Sequence, residues 1–141
     1  MLHTYIKGAI QDLESLISLT EQDNADIQVA NHEAIFSRIE QKDKLIQSFE
    51  SKKALLHEEM LLLCEKNPHK TLKDLLDDEA SELLDSMRSA LESLKVQNAN
   101  YARSAFAVAE FYSSLIQRVI PHESHGYEHN RPQSHLLQIQ A

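Results

Sequence analysis

Histidine and acidic side chains are the first place to look for chemistry in this sequence, because they are common metal ligands and common general acids and bases. His57-Glu58-Glu59 begins like the His-Glu-x-x-His motif of zinc proteases, but Leu61 stands where the second histidine is needed. No glutamate is followed three residues later by a histidine, so the Glu-x-x-His pairs of di-metal helical proteins are missing. These patterns predict neither kind of metal site.

The other residues that could carry chemistry have a structural explanation. Cys64 follows three leucines and has no histidine pattern that would mark a nucleophile, which favours a small buried side chain. Asp77-Asp78-Glu79 fits the start of a helix, where negative charge is favourable. Four histidines near the C-terminus are spaced for a transition metal but stand in a polar segment: His122, His125, His129 and His135. We therefore expect no metal, no cofactor and no enzymatic activity.

Charge and hydropathy exclude two classes of partner. The 141 residues include 22 acidic and 14 basic side chains, a net charge of -8 that repels nucleic acid. Apolar runs of about five residues fall far short of the ~20 that cross a bilayer, so we expect no membrane insertion. The single cysteine and an N-terminus without the pattern of a signal peptide indicate a cytoplasmic protein.

The scarcity of turn residues predicts an all-α fold. Only two glycines and three prolines occur, too few for the frequent turns of a β or α/β protein. Apolar residues recur every three or four positions, which predicts helices over residues 2–30, 31–66 and 71–120, the first two either separate or one bent rod. We expect an elongated antiparallel bundle in residues 1–121 and a flexible tail in residues 122–141.

The third predicted helix has the most regular pattern. Thr71 and Asp74 form a capping box that predicts its start, and Pro121 predicts its end, giving a rod of about 70 Å. Its apolar stripe comprises Leu72, Leu76, Ala80, Leu83, Met87, Ala90, Leu94, Tyr101, Ala105, Val108, Tyr112, Leu115 and Val119.

This helix changes character halfway along. Residues 71–100 contain ten charged side chains and residues 101–120 only three. The apolar surface there exceeds one helical stripe, which indicates a second contact surface. Three explanations stay open: burial between the other two helices, a homodimer seam, or a groove for the amphipathic helix of another protein. The candidate binding residues are Tyr101, Phe106, Val108, Phe111, Tyr112, Leu115, Ile116 and Val119.

Three segments resemble the FlgN family of flagellar type III export chaperones. Residues 13–21 (LESLISLTE) and 36–46 (FSRIEQKDKLI) are similar to the first two helices of that family, and Gln97-Asn98-Ala99-Asn100-Tyr101 is similar to its Asn-rich stretch on the last helix. The family tail carries a tyrosine followed by a glycine, whereas here Tyr127 follows Gly126. The resemblance covers nearly the whole chain and rests on pattern more than on invariant motifs.

The resemblance implies a function without catalysis. Such chaperones bind the C-terminal segments of hook-filament junction proteins of the FlgK and FlgL types and deliver them to the export gate protein FlhA. Carried over by position, residues 101–120 become the client-binding surface and Tyr127 the contact with the export gate. The alternatives are a structural coiled-coil homo-oligomer, such as a homodimer, and a secretion chaperone for a different client.

Overall fold

The computed structural model describes residues 1–119, which are helical apart from short connections. Three long helices, α1 (Leu2–Gln28), α2 (His32–Lys66) and α4 (Asp78–Val119), are accompanied by the four-residue helix α3 (Leu72–Leu75). The predicted all-α class is confirmed, and no strand occurs in this part of the chain. The tail that the sequence predicted to be flexible, residues 122–141, lies outside the described residues.

The chain turns between α1 and α2 through a Schellman motif. Ala30 takes a left-handed φ of 57°, the amide of Asn31 donates to the carbonyl of Asp26 (2.9 Å), and the amide of Ala30 donates to the carbonyl of Ile27 (3.3 Å). The Asn31 side chain then accepts from the amide of Ala34 and caps α2. The first two helices are therefore separate, which answers the question that the sequence left open.

The start of α4 differs from the prediction. The Thr71 hydroxyl accepts from the Asp74 amide as the capping box requires, but the helix that it caps is only α3. Leu76 is extended (ψ 134°), and its side chain packs near Ala80 in the core. A second cap follows, because the Asp77 carboxylate accepts from the Ala80 amide at 2.7 Å. The long helix begins at Asp78 and not at Thr71.

α1 is the central element of the bundle. It packs closely against both α2 and α4, whereas the backbones of α2 and α4 scarcely approach each other. Ile6 packs with Leu56 of α2 and Ala80 of α4 at one end, and Ile27 packs with Ile35 and Tyr101 at the other. α1 and α4 are therefore parallel to each other, and α2 runs antiparallel to both.

Ion pairs supplement the apolar contacts between α1 and α2. Asp23 is 3% exposed and accepts from Arg38 (3.0 Å) and Lys42 (2.9 Å). Asp12 accepts from Ser48 (2.7 Å) and Lys52 (2.9 Å) in the same way. Hydrogen bonds that the Arg38 guanidinium donates to Asp23 and then to Asp26 raise the pKa of Arg38 above its ordinary value. These pairs explain why charged residues interrupt the apolar face of α2.

The lengths of the helices make the molecule elongated. α1 has 27 residues and α4 has 42, so they span about 40 Å and about 63 Å. The ring of Tyr112 lies 6.4 Å from that of His32, at the start of α2. Past this contact α4 continues for seven more residues, about 10 Å, and the side chains from Ser114 to Arg118 are all exposed.

Candidate functional site

The C-terminal half of α4 carries an exposed apolar surface, which we call the distal surface. Its five members are between 43% and 64% exposed, although each is a large apolar or aromatic side chain. The members are Phe106, Phe111, Tyr112, Leu115 and Ile116. Burial between the other two helices therefore does not explain these five residues. The explanations by a homodimer seam and by a groove for a partner remain open.

The other predicted binding residues lie elsewhere. Tyr101 is only 9% exposed and belongs to the core cluster around Ile27 and Ile35, so we assign it to the core and not to the binding surface. Val108 is partly buried against the same cluster. The backbone of Val119 ends α4, but its side chain lies outside the described side chains, and Tyr127 lies outside the described residues altogether.

The distal surface extends around α4. The rings of Phe111 and Tyr112 meet edge to face, with centroids 5.9 Å apart and planes at 65°. Phe106 lies about 120° around the helix axis from Tyr112, since successive residues rotate by about 100°. An amphipathic helix with one partner presents apolar residues on one face only. This half of α4 therefore has more apolar surface than its contact with α1 covers.

A shallow cavity of about 500 Å³, open to solvent, lies beside this surface, between α4 and the C-terminal end of α1. Its polar lining includes Gln28 and Ser104, and the Gln28 side-chain amide donates to the Ser104 hydroxyl at 3.0 Å. Phe111 and Tyr112 belong both to this lining and to the distal surface. The full lining comprises Ile27, Gln28, Ala30, Arg103, Ser104, Ala107, Val108, Phe111 and Tyr112.

The comparisons with known proteins are negative. No family model, curated protein or solved structure matches the chain. The resemblance to FlgN proteins therefore stays a prediction, and the residues of the site have to be argued from their own geometry.

The sequence did not indicate the α1 side of the cavity. Ile27 fits an ordinary core stripe, and Gln28 and Ala30 have no feature that marks a binding site. These residues line the cavity because the register of the helices places the end of α1 beside Val108. The repeat of apolar residues in the sequence does not fix this register, so the cavity could be found only from the structure.

A second set of exposed apolar residues lies on α2. Ile39 and Ile46 continue the apolar stripe of the sequence but are 44% and 46% exposed. They lie where the backbone of α2 packs closely on α1 and the backbone of α4 stays distant. Phe36, at 67%, is the most exposed of the large apolar side chains on this helix.

The side chains that could take part in catalysis or metal binding do not come together at one site within residues 1–119. No group of three histidine, cysteine or acidic side chains there is arranged to hold a metal ion. A hydrogen bond from His3 (2.9 Å), followed by the bond from the Ala80 amide, lowers the pKa of Asp77. Asp77 thus links the N-terminal ends of α1 and α4 by hydrogen bonds. Cys64 is a partly buried free thiol. None of the described helices is apolar enough over a sufficient length to cross a membrane.

Proposed function

We propose that the protein is a cytoplasmic export chaperone of the FlgN type, which covers an apolar helical segment of a client protein with the distal surface of α4. The observation that carries the proposal is the half-exposed state of Phe111, Leu115 and Ile116 on a helix that extends past its own bundle. Exposed apolar patches of this kind are typical of protein interaction sites.

The clients that the resemblance suggests are hook-filament junction proteins of the FlgK and FlgL types. Their C-terminal segments would bind as amphipathic helices, with apolar residues every three or four positions against the distal surface. The chaperone would shield these residues before export and release them at the gate. Burial of apolar area supplies such binding without a cofactor or nucleotide hydrolysis.

Substitutions on two sides of α4 test the proposal. A carboxylate placed inside an apolar contact has to be desolvated, so we expect Phe106→Asp and Leu115→Asp to abolish co-purification with junction proteins encoded by the same genome. Val96→Asp is the matched control, because Val96 is a 57% exposed apolar residue on the same helix but outside the distal surface. If both distal variants capture the client as well as wild type does, the distal surface is not the client site.

Tyr127 is the proposed contact with the export gate protein FlhA, by resemblance alone. Tyr127→Ala should leave client binding unchanged and weaken the affinity of the chaperone–client complex for the cytoplasmic part of the gate. Titration of the gate with both complexes measures this. An unchanged gate affinity would remove the assignment.

The exposed residues of α2 favour a second candidate function, a structural helical protein that self-associates. Ile39 and Ile46 lie on the apolar stripe of α2, which is the pattern of a helix with a further helical partner. Light scattering separates the two candidates. A monomer at micromolar concentration supports the chaperone, whereas a stable dimer supports the structural protein.

A further inference from the structure

The cavity beside α4 has one charged residue in its lining. Arg103 stands among apolar and neutral polar side chains, and its guanidinium donates to the Asn100 side-chain carbonyl. Within residues 1–119 no carboxylate oxygen lies within 4 Å of this guanidinium. The guanidinium of Arg103 in the cavity wall is therefore a cation that bonds to a neutral side chain, that of Asn100.

The surrounding charge is unevenly distributed along the chain. Residues 1–92 contain 19 acidic and 10 basic side chains, whereas residues 93–119 contain three basic and one acidic. The acidic body repels an acidic partner, and the end of α4 attracts one. Because salt limits these forces to about 8 Å at physiological ionic strength, the charge in the lining itself, that of Arg103, matters more at the cavity than the net charge of the chain.

The shape of the apolar surface fits a helix and not a compact ligand. Phe111 and Tyr112 connect the cavity to Leu115, so the surface continues from Val108 along two turns of α4, about 10 Å. A bound helix presents apolar side chains at i, i+3, i+4 and i+7, which extend over the same length.

We propose that this cavity takes the apolar side chains of an amphipathic partner helix with acidic residues beside its apolar face, and that Arg103 selects that helix by pairing with one of its carboxylates. This inference rests on the proposed function and adds the chemical class of the client segment. The cavity supplies affinity through apolar burial. Arg103 supplies charge selectivity and orientation, because an acidic helix placed elsewhere meets the acidic body.

Two synthetic 18-residue peptides test the inference on the full chain. Both carry leucine at i, i+3, i+4 and i+7, and the residues beside the leucines are glutamate in one peptide and lysine in the other. Fluorescence anisotropy measures each affinity. The part of the binding that the neutral variant Phe111→Ser removes is the part at the cavity.

We expect wild type to bind the glutamate peptide at the cavity about fivefold more tightly than the lysine peptide, as one partly desolvated ion pair provides. Arg103→Glu should weaken the glutamate peptide about five- to tenfold and reverse the preference, because a carboxylate at this position attracts the lysine peptide. Arg88→Glu is the matched control, an exposed arginine on α4 outside the cavity, and it should leave the preference unchanged.

Equal affinities for the two peptides, a preference for the lysine peptide, or no binding of either would overturn the inference. An effect of Arg88→Glu equal to that of Arg103→Glu would do so as well, because net charge would then explain the preference. The proposed function fails differently. If the protein captures junction proteins and Arg103→Glu does not change this capture, the proposed function is supported and the role of Arg103 is not. If the peptide preference is observed but junction proteins are not captured, the cavity inference is supported and the proposed function is not.

Discussion

At the scale of single residues, buried charge ties α1 to α2. Asp23 is nearly inaccessible, and its two carboxylate oxygens each accept from a different basic side chain of α2, Arg38 and Lys42. Desolvating these charges costs free energy that their attraction offsets only in this geometry. The pairs thus specify the register of the two helices, because a shift by one residue would leave Asp23 buried without a partner.

We predict that Asp23→Ala destabilises the fold by about 2–3 kcal/mol, less than a fully buried pair costs because both basic side chains reach partly into water. Urea unfolding followed by circular dichroism measures the change. Glu50→Ala is the control, since its pair with Lys53 is exposed and should change the free energy of unfolding by less than about 0.5 kcal/mol. Equal losses in the two variants would contradict the account.

The same scale shows how far the sequence predicted the candidate site. Tyr101 lies on the regular apolar stripe of the third predicted helix and is buried, whereas Phe106 lies off that stripe and is 43% exposed. Membership of the apolar stripe thus distinguishes the buried Tyr101 from the exposed Phe106. Tyr112 and Leu115 also lie on the stripe but are exposed, because α1 ends before it reaches them. Periodicity gives the direction in which a side chain points, and the length of the neighbouring helix decides whether anything covers it.

At the scale of elements, helix ends account for both differences in boundaries. Thr71 and Asp77 are each good N-caps, and the sequence alone does not say which one begins the long helix. The structure uses both, because the extended Leu76 lets its side chain enter the core between them. The end of α1 had no glycine to mark it, since Ala30 occupies the left-handed position.

We predict that Ala30→Gly stabilises the fold by about 1 kcal/mol and raises the melting temperature by a few degrees. Glycine takes a left-handed φ without the steric cost that alanine has at 57°. Ala25→Gly is the matched control: Ala25 is exposed within α1, where glycine should cost about 1 kcal/mol. A loss of stability in Ala30→Gly would show that the turn does not have this geometry in solution.

At the scale of the whole molecule, the difference in length between α1 and α4 produces the candidate site. The sequence predicted the helical class, the long last helix and the apolar excess at its end. It did not predict the cavity, because the contact of Ile27 with Tyr101 depends on the relative position of helices that are distant in sequence. The projecting turns of α4 are supported on few sides, so we expect their backbone hydrogen bonds to open more readily than those of the core.

Hydrogen exchange with and without a junction protein tests the central claim most directly. The account predicts that the amides of residues 113–118 exchange quickly in the free protein and that residues 103–118 become more protected in the complex. The exposed stretch of α2 around Ile39 and Ile46 should exchange equally in both states. Protection confined to α2, with residues 103–118 unchanged in the complex, would contradict the assignment of the client site to the distal surface.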